Sequence, residues 1–261
     1  TTSIVKVKPE QSGARGADVS TYLRSGSISL SALPPLALYI HYPWCVRKCP
    51  YCDFNSHEAG ARGAPEDDYL NALRADLEAA LPLVWGRSIV SVFIGGGTPS
   101  LMSAQVVDRL LSDVRALLPL ALDCEITLEA NPGTFEAERF AAYRASGVNR
   151  LSIGIQSFDE EKLKALGRIH DRAQAFTAID IARRHFDNFN LDLMYALPGQ
   201  SLTELQGDVE HALAVRPPPE SNRGGDLLVG PVADARLTVG RDVRRVHRAE
   251  RPLVLAPTAI H

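Results

Sequence analysis

An α/β fold with a parallel sheet is predicted by three observations. Between residues 36 and 215, runs rich in β-branched and aromatic residues alternate five times with stretches of helical apolar spacing. A strand–helix–strand series of that kind winds as right-handed βαβ units. At 261 residues, with 45% apolar and 23% charged residues, the chain can bury a full core of that type. The series suits either a doubly wound sheet or part of a (β/α) barrel, and in both the chemistry collects where strands end and loops begin.

LALYIHY (36–42) reads as the first strand, and DDYLNALRADLEAALPL (67–83) as its helix. SIVSVFIGG (88–96) is a buried strand running into glycines, followed by SAQVVDRLLSDVRALL (103–118), a helix with Ser103 as its N-cap. CEITLEANP (124–132) is a strand, and FEAERFAAYRASG (135–147) a helix closed by Gly147. VNRLSIGIQS (148–157), RAQAFTAIDIARRHF (172–186), FNLDLMYALPG (189–199) and SLTELQGDVEHALAV (201–215) repeat the alternation twice more. Residues 1–34 form a polar leader, and residues 35–215 hold the α/β core. Residues 216–261 carry eight Arg, no Lys and no aromatic residue; they show no periodicity and are not expected to complete the sheet.

A net charge of −3 gives no electrostatic case for nucleic acid or an acidic membrane surface. No apolar run approaches the roughly 18 residues of a membrane helix, and the opening TTSIVKVKPEQ has no secretion-signal core, so a cytoplasmic protein is expected. The chain begins with Thr1, which fits a fragment or a processed chain.

Three of the four cysteines, Cys45, Cys49 and Cys52, fall within eight residues just after the first strand, as C-x3-C-x2-C. Such a cluster reads as a metal or redox site rather than a disulfide framework. Cys124 stands alone within a strand and reads as an inert core thiol. A structural zinc wants four protein ligands, and His57 is the only local candidate for the fourth. An iron–sulfur cube held by three cysteines leaves one iron open for another ligand. The second strand ends in GGGTPS (95–100), where glycines permit close approach of backbone to a ligand. No GKS/T follows, which excludes a Walker loop, and the dinucleotide fingerprint is absent.

With those cysteines ahead of GGGTPS, the chain resembles the radical S-adenosylmethionine (SAM) superfamily. More narrowly it resembles the group of oxygen-independent coproporphyrinogen III oxidase and its haem-chaperone relatives. The phrases LYIHYPWC, FIGGGTPS, EANPGT, GVNRLSIGIQSF, LGRIH and NLDLMYALPGQ carry the likeness over residues 36 to 215. The resemblance implies a partial (β/α) barrel, incomplete after the fifth βα unit, with a [4Fe–4S] cluster on Cys45, Cys49 and Cys52. It implies SAM on the remaining iron, with Gly96, Gly97 and Thr98 at its methionine part and Tyr39 and Tyr51 lining it. Glu129, Gln156, Arg168 and Asp192 fill the other SAM-contacting places. Read singly, those four are capping, solvated or strand-end polar groups, and the tyrosines are packing residues. His170, in LGRIH, is open between a structural hydrogen bond and a functional one. One-electron cleavage of SAM to methionine and a deoxyadenosyl radical is the implied chemistry, with an electron donor as partner.

The oxidase carries a further cysteine two residues after the third, and this chain has Phe54 there. That substitution matches the haem-chaperone subgroup and makes decarboxylase activity doubtful. Haem, and a haem-accepting protein, are then the expected partners; coproporphyrinogen III oxidation is the alternative, with a porphyrinogen as substrate. GGDLLVGPVADARLT (224–238) echoes a chaperone phrase, GDYLGIGPGAHGKLT, but the H-N-x-x-Y-W haem motif is missing. A frameshift, an internal deletion or a decayed gene would produce such a tail, and haem transfer is expected to be impaired. A zinc-stabilised binding module is the third reading.

Overall fold

In the computed structural model, residues 34–215 are described, together with strands at 227–231, 237–239 and 252–255. The leader expected over 1–34 lies almost wholly outside the described residues, as does most of the Arg-rich tail. The chain divides after Pro35, and the architecture is that of the unit from Leu36 onward.

Strand β1 (Leu36–Tyr42) alternates fully between two environments: Leu36, Leu38, Ile40 and Tyr42 are buried, and Ala37, Tyr39 and His41 are half-buried. Pleating with a period of two puts these sets on opposite faces. Two-residue strands β2 (Trp44–Cys45) and β3 (His57–Glu58) pair with each other in the following loop. Helix α1 (Glu66–Val84) starts with Glu66, Asp67 and Asp68, acidic side chains suited to the positive end of the helix dipole. Strand β4 (Ile89–Gly96) leads through a 3₁₀ turn to α2 (Ala104–Leu117), where the Ser103 hydroxyl accepts from the Val106 amide as the expected N-cap.

Strand β5 (Leu120–Ala130) begins earlier and ends earlier than its sequence suggests, because Pro132 opens a 3₁₀ turn capped by Asn131. Helix α3 (Ala137–Ser146) ends on Gly147 at φ 107°, beneath the Arg115 guanidinium, where a side chain would meet both backbone strain and a clash. Strand β6 (Arg150–Gln156) is followed by α4 (Glu160–Ala165), a six-residue helix too short and polar to show a period. Helix α5 (Arg172–His185) opens with an Asp171–Gln174 capping box. Strand β7 (Phe189–Tyr195) stops where Ala196 turns to φ 58°, and α6 (Leu202–Val215) follows. The tail adds β8 (Leu227–Pro231), β9 (Leu237–Val239) and β10 (Pro252–Leu255).

The main sheet runs β10-β1-β4-β5-β6-β7-β8-β9. From β10 to β8 every neighbour is parallel, and β9 turns back antiparallel on β8. Helices α1, α2, α3 and α5 pack against one another in sequence order. Strand order rising without reversal, and neighbouring helices in series, are barrel winding; a doubly wound sheet reverses at a switch point. The sheet is a partial (β/α) barrel, and among the described residues its two edge strands do not meet. The tail supplies short strands at both edges but, as expected, does not complete the sheet. Runs such as LLV and PLVL are too short to show periodicity, yet they satisfy the open backbone groups of an edge strand.

The buried alternation decides where the core sits. Leu38, Ile40, Val92, Ile94, Ile126, Leu128, Leu151, Ile153, Leu191 and Leu193 form one apolar cluster with the helices. The intervening positions, including Tyr39, Glu129, Gln156 and Asp192, lie on the opposite face of the sheet. Packing is thereby left to one face and chemistry to the other. No helix among the described residues is long and apolar enough to cross a membrane.

Candidate functional site

The cysteine loop is closed at its base by β2 and β3, with the Ala59 amide donating to Cys45 O and the His57 amide to Pro43 O. Cys45 is buried, while Cys49 and Cys52 are half-buried on the loop proper. Burial pushes the Cys45 thiol up; hydrogen bonds from Thr98 and Ser56 oppose this, and the nearby Cys52 and Cys49 charges add to it. The three thiols are thus within electrostatic reach of one another. Among the described residues no three Cys, His, Asp or Glu side chains converge tightly enough for a single metal ion. Neither His57, which is exposed, nor a carboxylate completes a zinc site. Zinc draws its thiolates to about 2.3 Å from one centre, whereas a cube binds each thiolate to a different iron. The donor set therefore fits the cluster.

GGGTPS lies directly under this loop. The Gly97 amide donates to Tyr42 O at 2.7 Å and the Thr98 amide to Trp44 O at 2.8 Å. A Cβ on Gly97 would stand 2.6 Å from Trp44 O, and Gly96 adopts φ 116°, so side chains are excluded at both positions. The Gly96 amide donates to Glu129 Oε2 at 3.0 Å, which joins the end of β5 to the glycine turn. Tyr39 stacks on Phe93 and donates its hydroxyl proton toward, or accepts one from, His41 Nδ1 at 3.0 Å.

On the far side, Arg168 gathers several of the expected residues. Its Nη1 donates to Tyr51 Oη at 3.3 Å and to Cys49 Sγ at 3.9 Å, and its Nη2 donates to Gly154 O at 2.9 Å. Gln156 sits at φ 67°, a strained backbone for a residue with a side chain, at the carboxyl end of β6. Asp192 stands one strand further on. Ser152 Oγ donates to its Oδ2 at 2.9 Å and Asn190 Nδ2 to its Oδ1 at 2.7 Å. Asn190 Nδ2 also donates to Ser152 Oγ, which completes a small closed network.

The structure thus brings Cys45 to Thr98, Glu129 to Gly96, and Cys49 and Tyr51 to Arg168. Asp192 is held by Ser152 and Asn190 instead. Sequence reasoning misses buried Ser56, Ser152 and Asn190. The alternation of Ser152, Gly154 and Gln156 with Leu151, Ile153 and Ile155 is the available signal. His170 is 4% exposed and makes a structural hydrogen bond from Nε2 to Ile155 O at 3.2 Å. Burial, helped by the Arg168 charge, pushes it down to about 4, so it is neutral at physiological pH.

Among the described residues, three buried polar atoms have no partner: Arg168 Nε, His170 Nδ1 and Asn190 Oδ1. All three belong to β7 or to the segment after β6. An orphaned guanidinium N–H is a defect unless an anionic ligand completes it. A cofactor carrying a carboxylate beside the thiols fits that demand. A cleft of about 740 Å³ behind the loop, lined by Tyr42, Val46, Glu66, Ser103 and Arg139, contains none of the expected cofactor residues.

Residues 39–212 match the profile of the radical SAM superfamily, which spans every position just described. The chain belongs to the radical SAM superfamily. That family implies a [4Fe–4S] cluster and SAM. The chain is 56% identical over 187 residues to "Heme chaperone HemW" of Escherichia coli, covering 71% of this chain and 49% of that protein. It is 43% identical over 176 residues to "Radical S-adenosyl methionine domain-containing protein 1, mitochondrial" of Bos taurus, covering 66% and 39%. Among solved structures, coproporphyrinogen III oxidase (HemN) from Escherichia coli, described as a radical SAM enzyme, superposes with a TM-score of 0.68 at 30% identity. That match covers 77% of this chain and 45% of the oxidase. This radical SAM chain spans about half the length of the curated relatives it matches.

Proposed function

We propose that this chain is a radical SAM protein of haem metabolism, of the haem-chaperone type, with Cys45, Cys49 and Cys52 as the three cluster ligands. The observation that carries the reading is its 56% identity over 187 residues to a heme chaperone, with Phe54 after YCD. Phe54 is half-exposed on the outer loop, and its carbonyl is engaged by Lys48 Nζ and Ser56 Oγ. When bound, the cluster and SAM supply one-electron chemistry at a sulfonium carbon–sulfur bond.

The chain's own residues orient and shield. Gly96, Gly97 and Thr98 present backbone to the amino-acid end of SAM, with Glu129 fixing the glycine turn. Arg168 offers its orphaned Nε–H to the carboxylate, Tyr39 and Tyr51 wall the cofactor, and Gln156 and Asp192 face its remaining polar groups. The hydroxyls of Ser56 and Thr98 stabilise the Cys45 thiolate.

Haem or a porphyrinogen is the proposed cargo or substrate, with an electron donor and a haem-accepting protein as partners, in the cytoplasm. Coproporphyrinogen III oxidation is the second reading, favoured by the structural likeness to the oxidase. Haemin titration and anaerobic incubation with coproporphyrinogen III separate the two. Stoichiometric haem binding without release of carbon dioxide supports the chaperone; carbon dioxide release overturns it.

A further inference from the structure

The cysteine loop leaves β1 but leans on a segment three strands away. Arg47 Nη2 donates to Gly167 O at 2.7 Å and to Arg168 O at 3.4 Å. Gly167 adopts φ 68°, and a Cβ there would lie 2.9 Å from Pro50 Cδ, so loop and segment are in direct contact. The loop therefore passes over the ends of β4 and β5 to reach the residues after β6.

The three thiols meet different donors. Cys45 has the hydroxyls of Thr98 and Ser56, and Cys52 lies 3.8 Å from Ser56 Oγ. Cys49 faces the guanidinium of Arg168. A charged donor bonds an anion roughly twice as strongly as a neutral one. A positive charge beside a ligand sulfur also favours whichever state of a metal centre carries more electrons. That charge is held rigidly, since Nη2 is anchored on Gly154 O and the Arg168 carbonyl on Arg47.

We propose that Arg168 is a positioning residue that also tunes the cluster: through Cys49 it sets the electron affinity of the iron–sulfur centre, raising its midpoint potential. This rests on the reading of the three cysteines as cluster ligands. Arg168 acts in two directions, Nη1 toward the thiol and Nε toward the anionic end of the cofactor, and the first operates even without SAM.

The test is a redox titration, without SAM, of anaerobically reconstituted wild-type protein and three variants. Arg168→Gln shifts the midpoint to more negative values, Arg168→Lys keeps most of the wild-type value, and Arg47→Lys, which loosens the tether but keeps the charge, stays near wild type. An Arg168→Gln midpoint equal to wild type overturns the inference. So does an Arg47→Lys or Arg168→Lys shift as large as that of Arg168→Gln, since looseness rather than charge would then be responsible. If Arg168→Gln holds no iron, Tyr51→Phe decides: releasing Nη1 from the phenol to the sulfur raises the midpoint, and no rise overturns the proposal. A wild-type chain that assembles no cluster removes the cysteine reading itself, whereas a cluster with an unmoved potential removes only the role of Arg168.

Discussion

From Cys45 to Glu58 only Cys45 and Ser56 are buried, and the turn exposes Val46, Asp53 and Phe54. Across from it, between Gln156 and Asp208, most buried polar groups are paired, the exceptions being Arg168 Nε, His170 Nδ1 and Asn190 Oδ1. Asp208 accepts from the Phe158 amide and Ser157 Oγ, each at 2.7 Å. Lys162 donates to Gly199 O and pairs with Glu204. Around Asp208 and Lys162 the shoulder is held by its own buried contacts, whereas the loop rests on a short β2–β3 pairing and a few side-chain tethers. A segment with so little buried surface gains much of its order from what it binds. In the proposed reading the loop is the holder of the cluster, and the shoulder is the frame against which the holder is set.

That contrast fixes the order of expected effects. Cys52→Ser or Cys49→Ser abolishes iron retention while leaving unfolding of the apo chain almost unchanged, as read by iron analysis and a thermal melt. Equal loss of iron and of the folded baseline would mean that loop and frame are not separable. His170 belongs to the frame, and its lowered value makes the frame acid-sensitive. The unfolded chain takes up the proton near the ordinary 6.5, the folded chain only near 4, so stability is full above pH 6.5 and falls between those values. The drop is roughly 3 kcal/mol at about 1.4 kcal/mol per unit, and His170→Phe flattens it in urea titrations across that window.

Asp208→Ala leaves two buried donors unpaired and lowers stability by about 2 kcal/mol in denaturant unfolding, without preventing cluster assembly. Ala196→Gly relieves a φ of 58° at the end of β7 and stabilises by about 0.5 kcal/mol. Destabilisation there would show that the Ala196 methyl packs more than its backbone strains.

The frame was legible where one face of an element is buried. The full alternation of β1, the Ser103 cap and the Gly147 stop all follow from local patterning, and the structure keeps them. Elements whose form depends on distant partners were not legible. Helix α4 is set by the Asp159 cap and by its packing, because EEKLKA has no apolar stripe. The tail strands exist through the edges they cover. In the site, thiol spacing and glycines were visible because short-range geometry demands them. Ser152, Asn190 and Arg47 were not, since their meaning lies in partners up to 121 residues away.

Three thiolates that leave one iron of a cube open to SAM are the centre of the proposed function. The direct measurement is electron paramagnetic resonance of the reduced, anaerobically reconstituted chain before and after SAM is added, with iron and labile sulfide assayed on the same sample. Equal iron and sulfide, with a cluster signal that changes on adding SAM, is the predicted result. Colourless protein without labile sulfide, or a cluster signal indifferent to SAM, would contradict it.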